Sequence, residues 1–198
     1  MRGLPPGHRA AAGPPVLGTV AAVHAVLAAA RGIRRPLVLI DGPSGAGKSA
    51  LADAVRRSWP GPLPALVRLD DVYQGWAGLD RAGTDLARTL VPRVRRGTVG
   101  RWQRWDWAED RAGRLEWLRP GGPLVLEGCG AFEAGDGASG AVRVWIEASD
   151  GVRKRRALER DEGRYDPYWE VWERQWRRYV RRTDPAGLAT VRVRASAR

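Results

Sequence analysis

Leu37-Val38-Leu39-Ile40-Asp41-Gly42-Pro43-Ser44-Gly45-Ala46-Gly47-Lys48-Ser49 is the stretch that decides how this 198-residue chain folds. It opens as a run of apolar, partly β-branched residues of strand length. Gly42 through Ser49 then satisfies G-x-x-x-x-G-K-[ST] in full, and a helical pattern continues to Ser58. The chemistry explains the spacing. Glycines let successive backbone N–H groups turn inward around phosphate oxygens, and the helix start adds partial positive charge. Gly42, Pro43, Ser44, Gly45, Ala46, Gly47 and Lys48, with Ser49 and Ala50 opening the helix, are therefore the expected polyphosphate cradle. Lys48 is placed to reach the β- and γ-phosphates and Ser49 to offer its hydroxyl to Mg²⁺. ATP and Mg²⁺ are the expected ligands.

Outward from this loop, apolar runs of strand length recur at Leu37–Ile40, Ala65–Leu69, Leu124–Leu126, Val142–Ile146 and Thr190–Val193. Helical patterns stand at Val16–Arg31, Lys48–Ser58, Thr84–Arg96, Asp150–Arg160 and Tyr168–Arg182. Strands alternating with helices predict an α/β, three-layer P-loop NTPase fold, a five-stranded parallel sheet with helices on both faces. Residues 98–119 alternate differently and predict a small hairpin or lid insertion. Residues 1–15, rich in Gly, Pro and Ala, are expected to be a disordered tail, with one domain spanning 16–198.

Composition narrows the function. The chain carries a formal charge of +12, almost entirely from arginine, which accompanies abundant Ala, Gly and Pro. The total charge is read as compositional bias, so only local arginine placement informs, and nucleic acid is not an expected partner. Cys129 is the sole cysteine, so neither an internal disulfide nor a cysteine-based zinc site is available. No apolar stretch reaches membrane-spanning length, and a cytoplasmic protein is expected. The chain has no Asn, which removes the N-K-x-D clamp of GTPases. A homo-oligomer stays open.

The remaining motifs point to a small-molecule kinase. Asp70 stands where the second strand should end, among strand ends that converge on the phosphate loop. It is the candidate base orienting an acceptor hydroxyl, with Asp71 as its rival, and Tyr73 is a candidate wall of the acceptor pocket. Glu127 closes the apolar strand Leu124–Leu126, where a carboxylate can hold Mg²⁺ with Ser49. Arg153, Arg156, Arg160 and Arg164 recur every three or four residues on one helical stripe, a candidate lid over residues 150–165. On that stripe Arg153 and Arg156 are candidates to stabilise charge in transit, and Arg160 to bind the nucleotide. Trp169, Trp172, Trp176 and Tyr179 form an amphipathic stripe expected to face the core.

The phosphate loop, Arg68-Leu69-Asp70-Asp71-Val72-Tyr73, Arg104-Trp105-Asp106-Trp107, Leu124–Phe132 and the arginine-bearing helix resemble, in order and spacing, the uridine kinase family of P-loop nucleoside kinases, in a bacterial branch. The resemblance runs from about Pro36 to Tyr179. It implies phosphoryl transfer from ATP to a small-molecule hydroxyl, and it implies that Trp105 and Asp106 lie beside the acceptor. Tryptophan replaces the family's tyrosine there, and its downstream histidine is absent, which puts uridine itself in question. A nucleoside monophosphate kinase, with Arg101, Arg104 or Arg111 on the acceptor phosphate, and a non-catalytic ATP-binding regulatory or RNA-associated protein are the alternatives.

Overall fold

A computed structural model describes residues 16–195; the expected tail, 1–15, lies outside them. In chain order the elements are β1 (Val16–Leu17), α1 (Thr19–Ala30), β2 (Leu37–Asp41), α2 (Lys48–Arg57), β3 (Ala65–Arg68) and a 3-10 turn (Leu69–Asp71). Then come α3 (Leu79–Thr89), α4 (Val91–Arg95), the hairpin β4 (Gly100–Asp106) and β5 (Arg111–Leu118), β6 (Leu124–Glu127) and α5 (Ala131–Ala134). The chain continues with β7 (Val142–Glu147), α6 (Asp150–Arg160), a 3-10 turn (Asp166–Tyr168), α7 (Trp169–Thr183) and β8 (Val191–Arg194).

The sheet order is β1-β8-β7-β2-β6-β3, all parallel. The five expected strands all form. A sixth, β1, lies where the sequence pattern places the start of the first helix: Val16 and Leu17 pair with Arg192 and Val193, and α1 begins only at Thr19. All five residues of β2 are buried because helices cover both sides of the sheet. Leu37 and Leu39 pack with α3, α4, α5 and α7, whereas Val38 and Ile40 pack with α1 and α2. This alternation is the period of a strand read from both faces.

One helix expectation is corrected. The segment Thr84–Arg96 is two helices: α3 starts earlier, at Leu79, and the chain breaks at Leu90 before α4. Pro92 supplies no amide to continue the α3 ladder, so a new helix starts around it. Leu79, Ala82, Gly83 and Leu86 form the buried stripe of α3. The hairpin forms its own two-stranded sheet. Among the described residues no helix is long and apolar enough to cross a membrane.

Candidate active site

The loop after β2 is shaped by contacts that forbid side chains. Gly42 has φ +154°, and a Cβ there would lie 2.1 Å from the Ile146 carbonyl oxygen. Gly45 has φ +77°, and its Cβ would lie 1.9 Å from the carbonyl oxygen of Arg153. The loop is thus pressed between β7 and α6, and only glycine permits either approach.

Gly42, Pro43 and Ala46 are buried beneath the loop. Ser44, Gly45, Gly47, Lys48, Ser49 and Ala50 line an open cleft of about 220 Å³. The Lys48 Nζ donates to the Pro43 carbonyl at 2.9 Å and to Cys129 Sγ at 3.5 Å. Burial works against its charge, yet the acidic groups around it, Cys129, Glu127 and Asp70 foremost, hold the ammonium above the ordinary lysine range. Across the cleft, Ser49 Oγ donates to Glu127 Oε1 at 2.9 Å. That orientation leaves the Ser49 oxygen lone pairs free for a cation. Two hard oxygen donors side by side suit Mg²⁺, which keeps most of its waters and takes few protein ligands. Burial, then the charge of Asp70, raises the Glu127 carboxyl above the glutamate norm, while Lys48, Ser49 and Arg68 pull it back. Arg68 Nε lies 3.3 Å from Glu127 Oε1 and its Nη2 pairs with Asp53.

Asp70 lies on the 3-10 turn after β3, is exposed, and lines the same cleft as Lys48 and Glu127. Its rival, Asp71, is paired with Arg104 of the hairpin at 2.9 Å. Arg156 and Arg160 line the cleft from α6.

Four expectations are corrected by the geometry. Tyr73 does not line the cleft: it is buried, with its hydroxyl donating to the Cys129 carbonyl at 2.9 Å. Arg153 faces away from the cleft into a buried bidentate pair with Glu173, at 2.9 and 2.7 Å, because the helix turns its position toward α7. Asp106 caps the hairpin tip, accepting from the amides of Ala108 and Glu109. Trp105 is half-buried against Gly75 rather than in the cleft. The hairpin residue that does reach the site is Trp107, whose indole N–H donates to the Asp70 carbonyl at 2.7 Å. The stripe on α7 does face the core, as expected. Its arginines are partly neutralised, Arg177 by Glu173, Arg178 by Asp80, and Arg182 by Glu133.

Sequence reasoning missed Asp41, Cys129, Trp76 and Tyr165. Asp41 had a signal, an acid closing a fully apolar strand. Its carboxylate is wholly buried and accepts from four donors: Gly42 and Gly130 amides on Oδ1 (2.7 and 3.0 Å), and the Phe132 amide and Tyr179 hydroxyl on Oδ2 (2.9 and 2.6 Å). It therefore ties the first amide of the phosphate loop to α5 and α7. Burial lifts its pKa to about 6, against the lowering effect of those donors. The folded chain thus holds this proton more tightly than the unfolded chain. Stability from this group is present below about pH 4 and declines as pH rises to about 6. The unfolding free energy of wild type minus that of Asp41→Asn is expected to fall by about 3 kcal/mol over that range and then level off. Urea unfolding at stepped pH checks it, and a flat difference rules it out.

A parallel sheet whose central strand feeds a glycine loop, a buried lysine and a helix, with Glu127 closing the adjacent strand β6 and Asp70 just beyond β3, has the architecture of a P-loop fold. No protein-family model and no curated protein sequence matches the chain. Solved structures do match. One, described as a possible uridine kinase from Bacillus stearothermophilus, superposes with a TM-score of 0.60 at 17% identity, covering 88% of this chain and 97% of that one. Another, described as a candidate fructose transport system kinase from a Silicibacter species, gives 0.55 at 18% identity, covering 90% and 98%. At such identities the likeness establishes the fold.

Proposed function

We propose that the protein is an ATP- and Mg²⁺-dependent kinase that phosphorylates a hydroxyl of a small molecule. The observation that carries this reading is convergence: Lys48, the Ser49–Glu127 pair and Asp70, from three separate strand ends, line one cleft. The descriptions of the two similar solved structures, one as a possible uridine kinase and one as a candidate fructose transport system kinase, support the same reaction class.

In this reading the loop amides and Lys48 hold the triphosphate, and Arg156 and Arg160 face it from α6. Ser49 and Glu127 hold Mg²⁺, which when bound offsets negative charge on the phosphates. Asp70 accepts a hydrogen bond from the acceptor hydroxyl and orients it in line. The acceptor oxygen forms a bond to the γ-phosphorus as the bond to the β,γ-bridging oxygen breaks. ADP leaves, and the hydroxyl proton passes to Asp70 and then to water.

Asp70→Asn keeps the shape of the side chain and removes its basicity. Turnover is expected to drop by about 10²–10⁴-fold, with the Kd for Mg·ATP changing less than about threefold. Acceptor-dependent ADP release and calorimetry read the two quantities, and undiminished turnover would remove Asp70 from this role.

A further inference from the structure

At the edge of the sheet opposite the phosphate loop, about 15 Å away along β2, the strands β2, β3 and β6 begin side by side. Leu37, Ala65 and Leu124 stand level there and line an open cavity of about 140 Å³. Prolines and leucines make up most of the remaining lining, together with Arg35, Arg95 and Arg119. The amides of Ala65 and Leu124 are already taken by the Pro123 and Pro36 carbonyls, at 3.0 and 2.9 Å. Polar recognition in this cavity therefore falls to the guanidinium groups.

The charge around the cavity is uncompensated. Residues 31–36, 56–64, 93–99 and 118–123, which supply most of the lining, carry nine arginines and no Asp or Glu. None of the nine makes an ion pair among the described residues; Arg56, Arg93 and Arg95 donate to main-chain carbonyls instead. Elsewhere Arg68, Arg104, Arg153, Arg177, Arg178 and Arg182 all pair with carboxylates. Compositional bias sets how many arginines the chain has, not why acids avoid this edge. The pull of helix C-termini on cations accounts for Arg31, Arg56, Arg57, Arg95 and Arg96. It does not account for Arg35, which precedes β2, or Arg119, which follows β5. Arg35 is also half-buried and braced: its Nη1 lies 3.2 Å from where a Gly97 Cβ would stand.

We infer that this cavity binds a compact organic anion, an apolar body of about six heavy atoms bearing one carboxylate or phosphate, with Arg35 and Arg119 on the charged head. A cavity of this volume accommodates a benzene-sized body, and the prolines and leucines favour an apolar one over a bare inorganic ion. The site does not depend on the kinase reading.

Isotope-labelled protein is titrated with benzoate, phenyl phosphate, inorganic phosphate and benzyl alcohol, and amide resonances are followed by NMR. The last two ligands supply the head or the body alone. Benzoate and phenyl phosphate are expected to shift the amides of Leu63, Gly121 and Gly122 with a Kd of about 1 mM or tighter. Inorganic phosphate and benzyl alcohol are expected to bind there at least about tenfold more weakly. Arg119→Gln, at an exposed position, is expected to weaken both organic anions about fivefold or more, and Arg35→Gln to act alike. If Arg35→Gln fails to fold, the Arg119 variant still decides. Inorganic phosphate binding as tightly as phenyl phosphate would mark a diffuse arginine surface and overturn the inference. So would shifts confined to Gly45–Ser49, no shift at the three amides up to about 20 mM ligand, or an Arg119→Gln protein that binds like wild type.

Discussion

Lys48→Ala is expected to weaken Mg·ATP binding by two to three orders of magnitude and to abolish turnover. The Nζ stands at the end of the phosphate loop, buried, fixed by the Pro43 carbonyl and still positively charged among the acidic groups of the cleft. A unit charge about 4 Å from a phosphate oxygen, at the effective dielectric of a protein surface, contributes about 4 kcal/mol, or close to three decades in Kd. Little of this returns through relaxation. Lys48 is one of only two lysines in the chain, and Arg156 and Arg160 approach from α6 across the cleft rather than from within the loop. Calorimetric titration with Mg·ATP checks it, alongside circular dichroism to show that the fold persists. Equal affinity in the two proteins would end the nucleotide reading of the loop.

The second large effect concerns stability. Arg153 and Glu173 face each other across α6 and α7, 5% and 8% exposed, joined by two parallel hydrogen bonds. Among the described residues, Glu173→Ala leaves the buried guanidinium with only the exposed Asp150 carboxylate as an acidic partner. Breaking a buried pair from one side costs about 3–5 kcal/mol, because the remaining charge stays desolvated. For a domain of this size that lowers Tm by about 6–20 °C. The same change should loosen the phosphate loop, since the Arg153 carbonyl packs where a Gly45 side chain would stand. A raised Kd for Mg·ATP at temperatures well below the lowered Tm is the expected companion. Thermal unfolding and nucleotide titration of one preparation report both, and a Tm within about 2 °C of wild type would show that the pair carries no net stabilisation.

These two residues also show how far sequence alone reached. The glycine loop was legible because its geometry is local. Thirteen consecutive residues contain the strand, the glycines that permit positive φ and the lysine, and their spacing is set by backbone geometry. The positions of Asp70 and Glu127 were legible for a related reason, since Glu127 closes an apolar strand, Asp70 follows one by a single 3-10 turn, and parallel strands deliver their ends to one edge of the sheet. Arg153 was misread because a stripe at helical spacing fixes only that residues share a face. Which neighbour that face meets is decided by packing, and α7 brought Glu173 to it.

What the amino-acid order determined by itself, then, is the parallel sheet, the loop and the acids at the strand ends, all consequences of periodicity and short-range stereochemistry. Only the tertiary structure decided that Tyr73 is sealed in the core, that Asp41 anchors the loop to two helices, and that Trp76, Trp107, Tyr165 and Tyr168 assemble into one wall. Those contacts join residues tens of positions apart through side chains. No local pattern encodes the meeting of two such groups, because it depends on how whole helices and the hairpin pack against the sheet.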